Sequence, residues 1–402
     1  MAATTRIEHA ALEIAADQAM RAQVEAWAAV NSGSRNLPGL ARMAGLLADA
    51  FAVLPGAVRL LDPTKVDAVD GEGRRVPIGH GRHLHLAVRP QAPVQLLLTG
   101  HMDTVYGADH AFQETREIAP GTLNGPGVAD MKGGLALMLA ALRAVEASPL
   151  APRIGYEVVI NSDEEVGSAS SAALIAASAR GKVAALTYEP ALPDGTLAGA
   201  RPGSGNFSCI IRGTSAHAGR NPEDGRNAVV AAADLALRLA RAAGPRLSVN
   251  PARIDGGSPN NVVPDLAVLR VNMRPATPED ERRARAHLDA AVAMVAAEHG
   301  VSIDVHGGFG RPPKPLDPAA ERLFELVRRC GATLGQEIGW RPTGGVCDGN
   351  NIAALGLPVV DTMGARGGAI HSPDEYLLVD SLAERAMLSS LVLLRLAEEG
   401  PP

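Results

Sequence analysis

The chain has 402 residues, too many for one ordinary hydrophobic core, so two domains are expected. A hydrophobic content of 46% with 20% charged residues excludes a disordered polypeptide. The net charge of −6, with no cluster of Lys and Arg, argues against nucleic acid as a partner, and no run approaches the roughly 18 uninterrupted apolar residues of a membrane span.

The amino-terminal stretch alternates charge with alanine and lacks the apolar centre of a signal peptide. Cys209, Cys330 and Cys347 lie far apart and form neither a CxxC pair nor a zinc-finger spacing. Both features predict reduced thiols and a cytoplasmic setting. Apolar spacing predicts an amphipathic helix over 6–29 and another over 38–53. Strands follow at HLHLAV (83–88) and VQLLLTG (94–100), the second a continuous apolar run of the kind buried on both faces. Residues 131–147 read as a helix apolar all round, 156–161 as a strand, 168–179 as a helix of small residues and 183–188 as a strand. This alternation predicts the α/β class, a mostly parallel sheet with helices on both faces.

Near Gly199 the pattern changes. A strand at 205–213, a helix at 227–243, strands near 252 and at LAVLRVNMR, a helix at 277–299 and the strand VSIDVHG give a β-α-β-β-α-β order. That order suits a two-layer α+β domain with an antiparallel sheet. The proline-rich RPPKPLDP then reads as a crossing. A helix at 318–335, a strand at LPVVDTM and a helix at 380–398 return to the first type. The expected division is therefore 1–200 and 310–402 for one domain, with 201–309 inserted into it.

Acids and histidines collect where buried strands end. VQLLLTG runs into His101 and Asp103, YEVVINS into Asp163, Glu164 and Glu165, and VAALTY into Glu189. Asp130 opens the long apolar helix, and His371 follows the glycine-rich loop after PVVDTM. Ligands of open α/β sheets gather at the carboxyl ends of the strands, so five segments deliver these groups to one edge. Carboxylates packed so closely repel one another, and a pair of divalent cations removes the conflict. Two histidines, two terminal carboxylates and one shared carboxylate suit two zinc-like ions, which can hold a bridging water as a nucleophile. One further carboxylate must take its proton, and the Glu164–Glu165 pair offers both a ligand and a base.

The motifs LLLTGHMDTV, NGPGVADMKGG, NSDEEVGS, YEP and IHSPDEY, in that order, resemble peptidase family M20, the di-zinc hydrolases that include glutamate carboxypeptidase, aminoacylase, acetylornithine deacetylase and succinyl-diaminopimelate desuccinylase. The resemblance spans nearly the whole chain, and Glu rather than Asp at 189 is similar to the carboxypeptidase and aminoacylase branch. It implies His101 and Glu189 on one metal, Glu165 and His371 on the other, and Asp130 bridging. Asp103 would orient His101, and Glu164 would be the general base. The ions would be two zincs, with cobalt or manganese acceptable to the same ligands. The inserted domain would be a lid and dimerisation domain, making the chain a homodimer. GTSAHAG implies that His217 polarises the scissile carbonyl, from the partner subunit in some dimeric members. NNVVP implies Asn261 and VNMR implies Arg274 as contacts to substrate, the guanidinium gripping a carboxylate. Gly345, Cys347, Asp348 and Gly367 fall at further substrate-side positions, Cys347 where relatives often carry Ser or Thr. A cis peptide at Asp130–Met131 is implied as well.

Each motif alone has a plainer reading. His101-x-Asp103 could end a strand without metal, Glu164 and Glu165 could cap a helix, His217 could be a surface histidine, and Arg274 a structural ion-pair partner. Five motifs in register outweigh these alternatives. His80, His83 and His85 lack accompanying acids and are read as a solvated strand face. Cys347 is read as a small pocket-lining thiol, since no histidine is placed to activate it. No nucleotide-binding glycine loop, G-x-S-x-G or H-E-x-x-H occurs. The expected activity is hydrolysis of an amide in an N-acyl amino acid or small peptide with a free carboxylate, a metal-bridging hydroxide attacking with Glu164 as base. The alternatives are an amidase whose substrate lacks an α-carboxylate, and a silent binder of amino acids or peptides.

Overall fold

The computed structural model of the chain describes residues 4–401, so the first three residues of the amino-terminal stretch and the last residue lie outside it. Its central sheet has six strands in the spatial order Val58–Leu61, His83–Val88, Ile154–Asn161, Val94–His101, Ala184–Thr187 and Val359–Val360. The last four run parallel, and the first two add an antiparallel edge, so the α/β sheet is mixed.

Alternation explains the unbroken apolar run of Val94–His101. Leu96 and Leu98 enter a large core with the helices Arg6–Ala16, Leu37–Phe51, Gly134–Glu146 and Asp380–Glu399. Leu97 points the other way, into a smaller core with Ile175 and Ile352 from the helices Ala172–Ala179 and Asp348–Ala354. Both faces are covered, so nothing polar is needed until the strand ends.

The helix expected over 6–29 is two helices, Arg6–Ala16 and Met20–Ala28. Gln18 falls where the apolar stripe of Ala11, Leu12 and Ala15 would continue, and its side chain instead bonds back to the carbonyl of Ile14 at 2.7 Å. The solvated face expected for His83 and His85 is also corrected. His83 is buried among Ser162 and Ser170, and His85 pairs with Glu157 at 2.7 Å.

A second sheet is antiparallel, in the order Leu247–Gly256, Leu266–Pro275, Ser204–Arg212 and Ser302–Arg311. Phe207, Cys209 and Ile211 alternate into a separate core beneath the helices Ala228–Ala240 and Pro278–His299. The opposite face is not bare. A hairpin of Val66–Val69 and Arg75–Ile78 leaves the first part of the chain and lays Val69 against Ile210 and Val268. Arg270 ties it down through the carbonyls of Val69 and Asp70, and Arg212 through that of Gly73.

A small sheet of Arg116–Ala119, Thr122–Asn124, Tyr376–Leu378 and Gly367–Gly368 carries the loop with His371. It brings that loop to the turn before Gly134–Glu146, where Asp130 sits beside a cis peptide to Met131.

Candidate metal centre

Each group of the centre leaves its backbone at a point that the sheet fixes. His101 ends its strand, 1% exposed, with Nε2 at 3.0 Å from Asp130 Oδ1 and 3.7 Å from Glu189 Oε2. Its Nδ1 faces the backbone carbonyl of Asp103 at 3.0 Å, which turns Nε2 toward the acids. The carboxylate of Asp103 has a second task. It accepts the backbone N–H groups of Glu164 and Glu165 at 3.1 and 3.2 Å and the hydroxyl of Ser34 at 2.7 Å. One residue thus sets both the imidazole and the diglutamate turn.

Asp130 lies between the two histidines, with Oδ1 on His101 and Oδ2 at 3.4 Å from His371 Nε2. The same His371 nitrogen is 3.1 Å from Glu165 Oε2. His371 is half exposed on a left-handed backbone (φ 62°) and opens to the cleft. Two ligand groups emerge, His101–Asp130–Glu165 and His101–Glu164–Glu189, each with its ligand atoms within 4.8 Å of one another.

Their electrostatics suit a cation. Burial pushes Glu164 up to about 8, Glu165 to about 7 and Glu189 to about 8, so without positive charge these acids would hold protons near neutrality. Burial opposes ionisation of Asp130 too, but hydrogen bonds from His101 and His371 outweigh it and hold this carboxylate below its usual range. His371 is raised to about 11 by its bonds to Asp130 and Glu165. Oε1 of Glu189 is buried with no hydrogen-bond partner, an oxygen that a metal would satisfy. The donor set of imidazole and carboxylate fits zinc-type ions.

The centre floors a cleft of about 1470 Å³ between the two sheets. Arg274, Gly345 and Cys347 line it, with Ser204, Asn206 and Asn272. Arg274 is half-buried, its Nε bonded to Asn272 and its Nη1 reaching the carbonyl of Gly344 at 3.4 Å. Cys347 is buried against Asp361, and burial raises its thiol well above the usual range, as suits an inert lining group. Four other expected site residues stand elsewhere. Asp348 is 1% exposed behind the wall, bound by Asn161 at 2.5 Å, Ser168 at 2.6 Å and Arg311. Gly367 is needed for close approach, since a Cβ there would sit 2.3 Å from the carbonyl of Tyr376. The segments of His217 and Asn261 run together, the N–H of Ala218 donating to the Asn261 carbonyl at 2.9 Å, but both residues are exposed and neither lines the cleft.

Sequence reasoning missed two buried groups. Glu375 accepts the N–H groups of Gly127, Ala129 and Asp130 at 3.0–3.1 Å and the Tyr106 hydroxyl at 2.9 Å, cradling the turn that presents Asp130. It lies inside the motif IHSPDEY, where only the histidine drew attention. Arg311 binds Glu164, and nothing in its proline-rich surroundings signals that.

This fold and this cluster define a metal-dependent hydrolase of amide and peptide bonds, and the chain belongs to peptidase family M20/M25/M40, whose model matches residues 97–395. Carboxypeptidase G2 of Pseudomonas sp. (strain RS-16) is 31% identical over 310 residues, 75% of this chain and 74% of that protein. The succinyl-diaminopimelate desuccinylase of Verminephrobacter eiseniae is 26% identical over 308 residues, covering 71% of this chain and 75% of its own length. Among solved structures, a tripeptidase from Staphylococcus aureus shares the fold with a TM-score of 0.72 at 22% identity, over 94% of this chain and 98% of that one.

Proposed function

We propose that the protein cleaves the amide bond of an N-acyl amino acid or small peptide that carries a free carboxylate. The observation that carries this reading is Asp130, one oxygen on His101 and the other facing His371, with Glu189 and Glu165 flanking. It supports two ions, zinc or else cobalt or manganese: His101 and Glu189 would hold one, Glu165 and His371 the other, and Asp130 both. When bound, such ions polarise a carbonyl and lower the pKa of a water so that it can attack near neutrality.

The chain's own residues supply the rest. Glu164 takes the proton of the attacking water and passes it to the leaving nitrogen. Asp103 fixes the His101 ring and the Glu164–Glu165 turn. Arg274, lining the cleft, pairs with the substrate carboxylate, a task that suits its planar guanidinium and a substrate of the carboxypeptidase kind. His217 donates to the carbonyl oxygen, with Asn261 beside it. Both are exposed in their own chain, which favours a homodimer in which the partner subunit's copy of this loop closes the cleft. The catalytic domain is read as 1–200 and 310–402 and the lid as 201–309, a division supported by their separate cores. Three buried, free cysteines favour a reducing, cytoplasmic setting.

The test is a panel of N-acyl amino acids and dipeptides, each beside its carboxyl-amidated analogue. It would be run with metal-loaded enzyme, chelator-treated enzyme and Glu164→Gln. The expected result is cleavage of free-carboxylate members only, lost on chelation and in the variant. Equal cleavage of the amidated analogues would overturn the carboxylate requirement, and undiminished turnover by Glu164→Gln would overturn the base.

A further inference from the structure

The two crossings between the lid and the catalytic part run side by side. Arg201 and Lys314 exchange backbone hydrogen bonds at 2.9 and 3.0 Å, and Ser204 pairs with Arg311 at the ends of the first and last lid strands. Asn350 clamps both crossings, its Nδ2 donating to the carbonyls of Pro202 at 2.9 Å and Pro312 at 2.8 Å. Beneath them the buried carboxylate of Asp361 pairs with Arg201 and Lys314, each within 2.8 Å. This ribbon joins the lid to the catalytic part and is termed its hinge.

From the hinge, the side chain of Arg311 turns inward rather than toward solvent, and the residue is only 3% exposed. Nη2 donates to Glu164 Oε1 at 2.7 Å, to the Glu164 carbonyl at 3.1 Å and to Ser168 Oγ at 2.9 Å. Nη1 donates to Asp348 Oδ1, and to Asn351 Oδ1 at 2.7 Å. Asp348 is itself held by Asn161 and Ser168, beside the same strand end that carries Glu164. The four Nη hydrogens are therefore committed to protein oxygens, which leaves no Nη pair to grip a substrate carboxylate. Only one oxygen of Glu164 is held, so the other stays available for proton transfer. A planar, preorganised guanidinium holds Glu164 on one nitrogen and Asp348 on the other at a fixed separation, which a lysine ammonium cannot.

We propose that Arg311 is the positioning residue for Glu164, anchored by Asp348, and that it ties the orientation of the base to the hinge of the lid. The inference rests on the reading of Glu164 as the base.

The test is Arg311→Lys in the full-length, metal-loaded enzyme, combined with Glu164→Asp in a double-mutant cycle. Misplacing a reacting group by about 1 Å costs ~10² in rate. Arg311→Lys should therefore lower kcat by about 10²-fold, with KM within about threefold of wild type and metal content unchanged. In the Glu164→Asp background the shorter side chain has already left the guanidinium, so the same change should cost less than about threefold more. Asp348→Asn, which loosens Arg311 without touching the hinge, should reproduce a smaller kcat loss and serves if Arg311→Lys fails to fold. Wild-type kcat in both variants would overturn the positioning role. So would an equal loss in both Glu164 backgrounds, or a loss explained by missing metal. A Glu164→Gln variant with undiminished turnover would instead overturn the underlying assignment of the base.

Discussion

The floor and the roof of the cleft are built on opposite terms. On the floor, His101, Asp103 and Asp130 are all at most 6% exposed, and each is held by partners from other segments of the same chain. On the lid, outside the cleft lining of its own chain, His217 is exposed, and its Nδ1 accepts only from the N–H of Gly219 two residues away, at 3.1 Å. A buried charge must find its partners within the fold or it costs several kcal/mol, so the floor is complete in one chain. An exposed imidazole faces no such demand, and its order can come from whatever covers it. The contrast teaches that the metal centre is built within one chain, whereas the proposed role of His217 depends on something that covers it.

Mixing variants breaks that contrast most directly. His217→Ala should lower kcat by ~10²–10³, the cost of a lost oxyanion donor, with metal content unchanged. If the histidine serves the partner's site, dissociating and reassociating His217→Ala with Glu164→Gln should restore about a quarter of wild-type activity, because each mixed dimer regains one intact site. No recovery from the mixture would return His217 to its own chain.

The floor can be loosened without touching a ligand. Glu375→Gln keeps the shape but takes a full charge from the three N–H groups that present Asp130. Removing such support around a metal ligand typically costs 10–100-fold in affinity. Metal affinity by competition with a chelator should fall by about that factor, while protein saturated with metal keeps most of its kcat. Unchanged affinity would mean that the turn holds itself. Between floor and roof, Arg274→Ala should raise KM about tenfold for a free-carboxylate substrate, the lower end for a hydrogen bond to a charged group, since Arg274 is half-buried. The carboxyl-amidated analogue should show no such change. Equal effects on both would make Arg274 a structural residue.

What could be read from sequence follows the same division. Strand-end acids and histidines were legible because a buried parallel strand announces itself by its apolar run, and whatever polar residue ends it stands at the ligand edge. Arg311 and Glu375 were not. Their partners lie 147 and 245–248 residues away, and neither a proline-rich crossing nor a glutamate in a loop signals a distant acceptor or donor. The helix Asp348–Ala354 escaped for a related reason: its first turn, Asp-Gly-Asn-Asn, has poor intrinsic helicity and is held by the tertiary bonds of Asp348 and Asn350. His83 was misjudged because its neighbours, Ser162 and Ser170, come from another strand end and the loop beyond it.

The hairpin Val66–Ile78 was equally invisible, and it offers the mildest way to separate lid from floor. Its strands are four residues each, and their burial comes from the lid rather than from themselves. Gly73 turns the hairpin with φ 69°, and a Cβ there would lie 2.7 Å from Ile210 Cγ2 on the lid sheet. Gly73→Ala therefore meets both an unfavourable backbone and a clash, a cost of about 1–2 kcal/mol. The isoleucine can shift only by lifting the hairpin from the lid. Amide exchange should accordingly quicken in Ser204–Arg212 and Leu266–Pro275 while Val94–His101 keeps its protection, because local openings follow local packing. Quickened exchange in all three strands alike would show that lid and floor open as one unit, and the division between a self-sufficient floor and a separately held roof would fail.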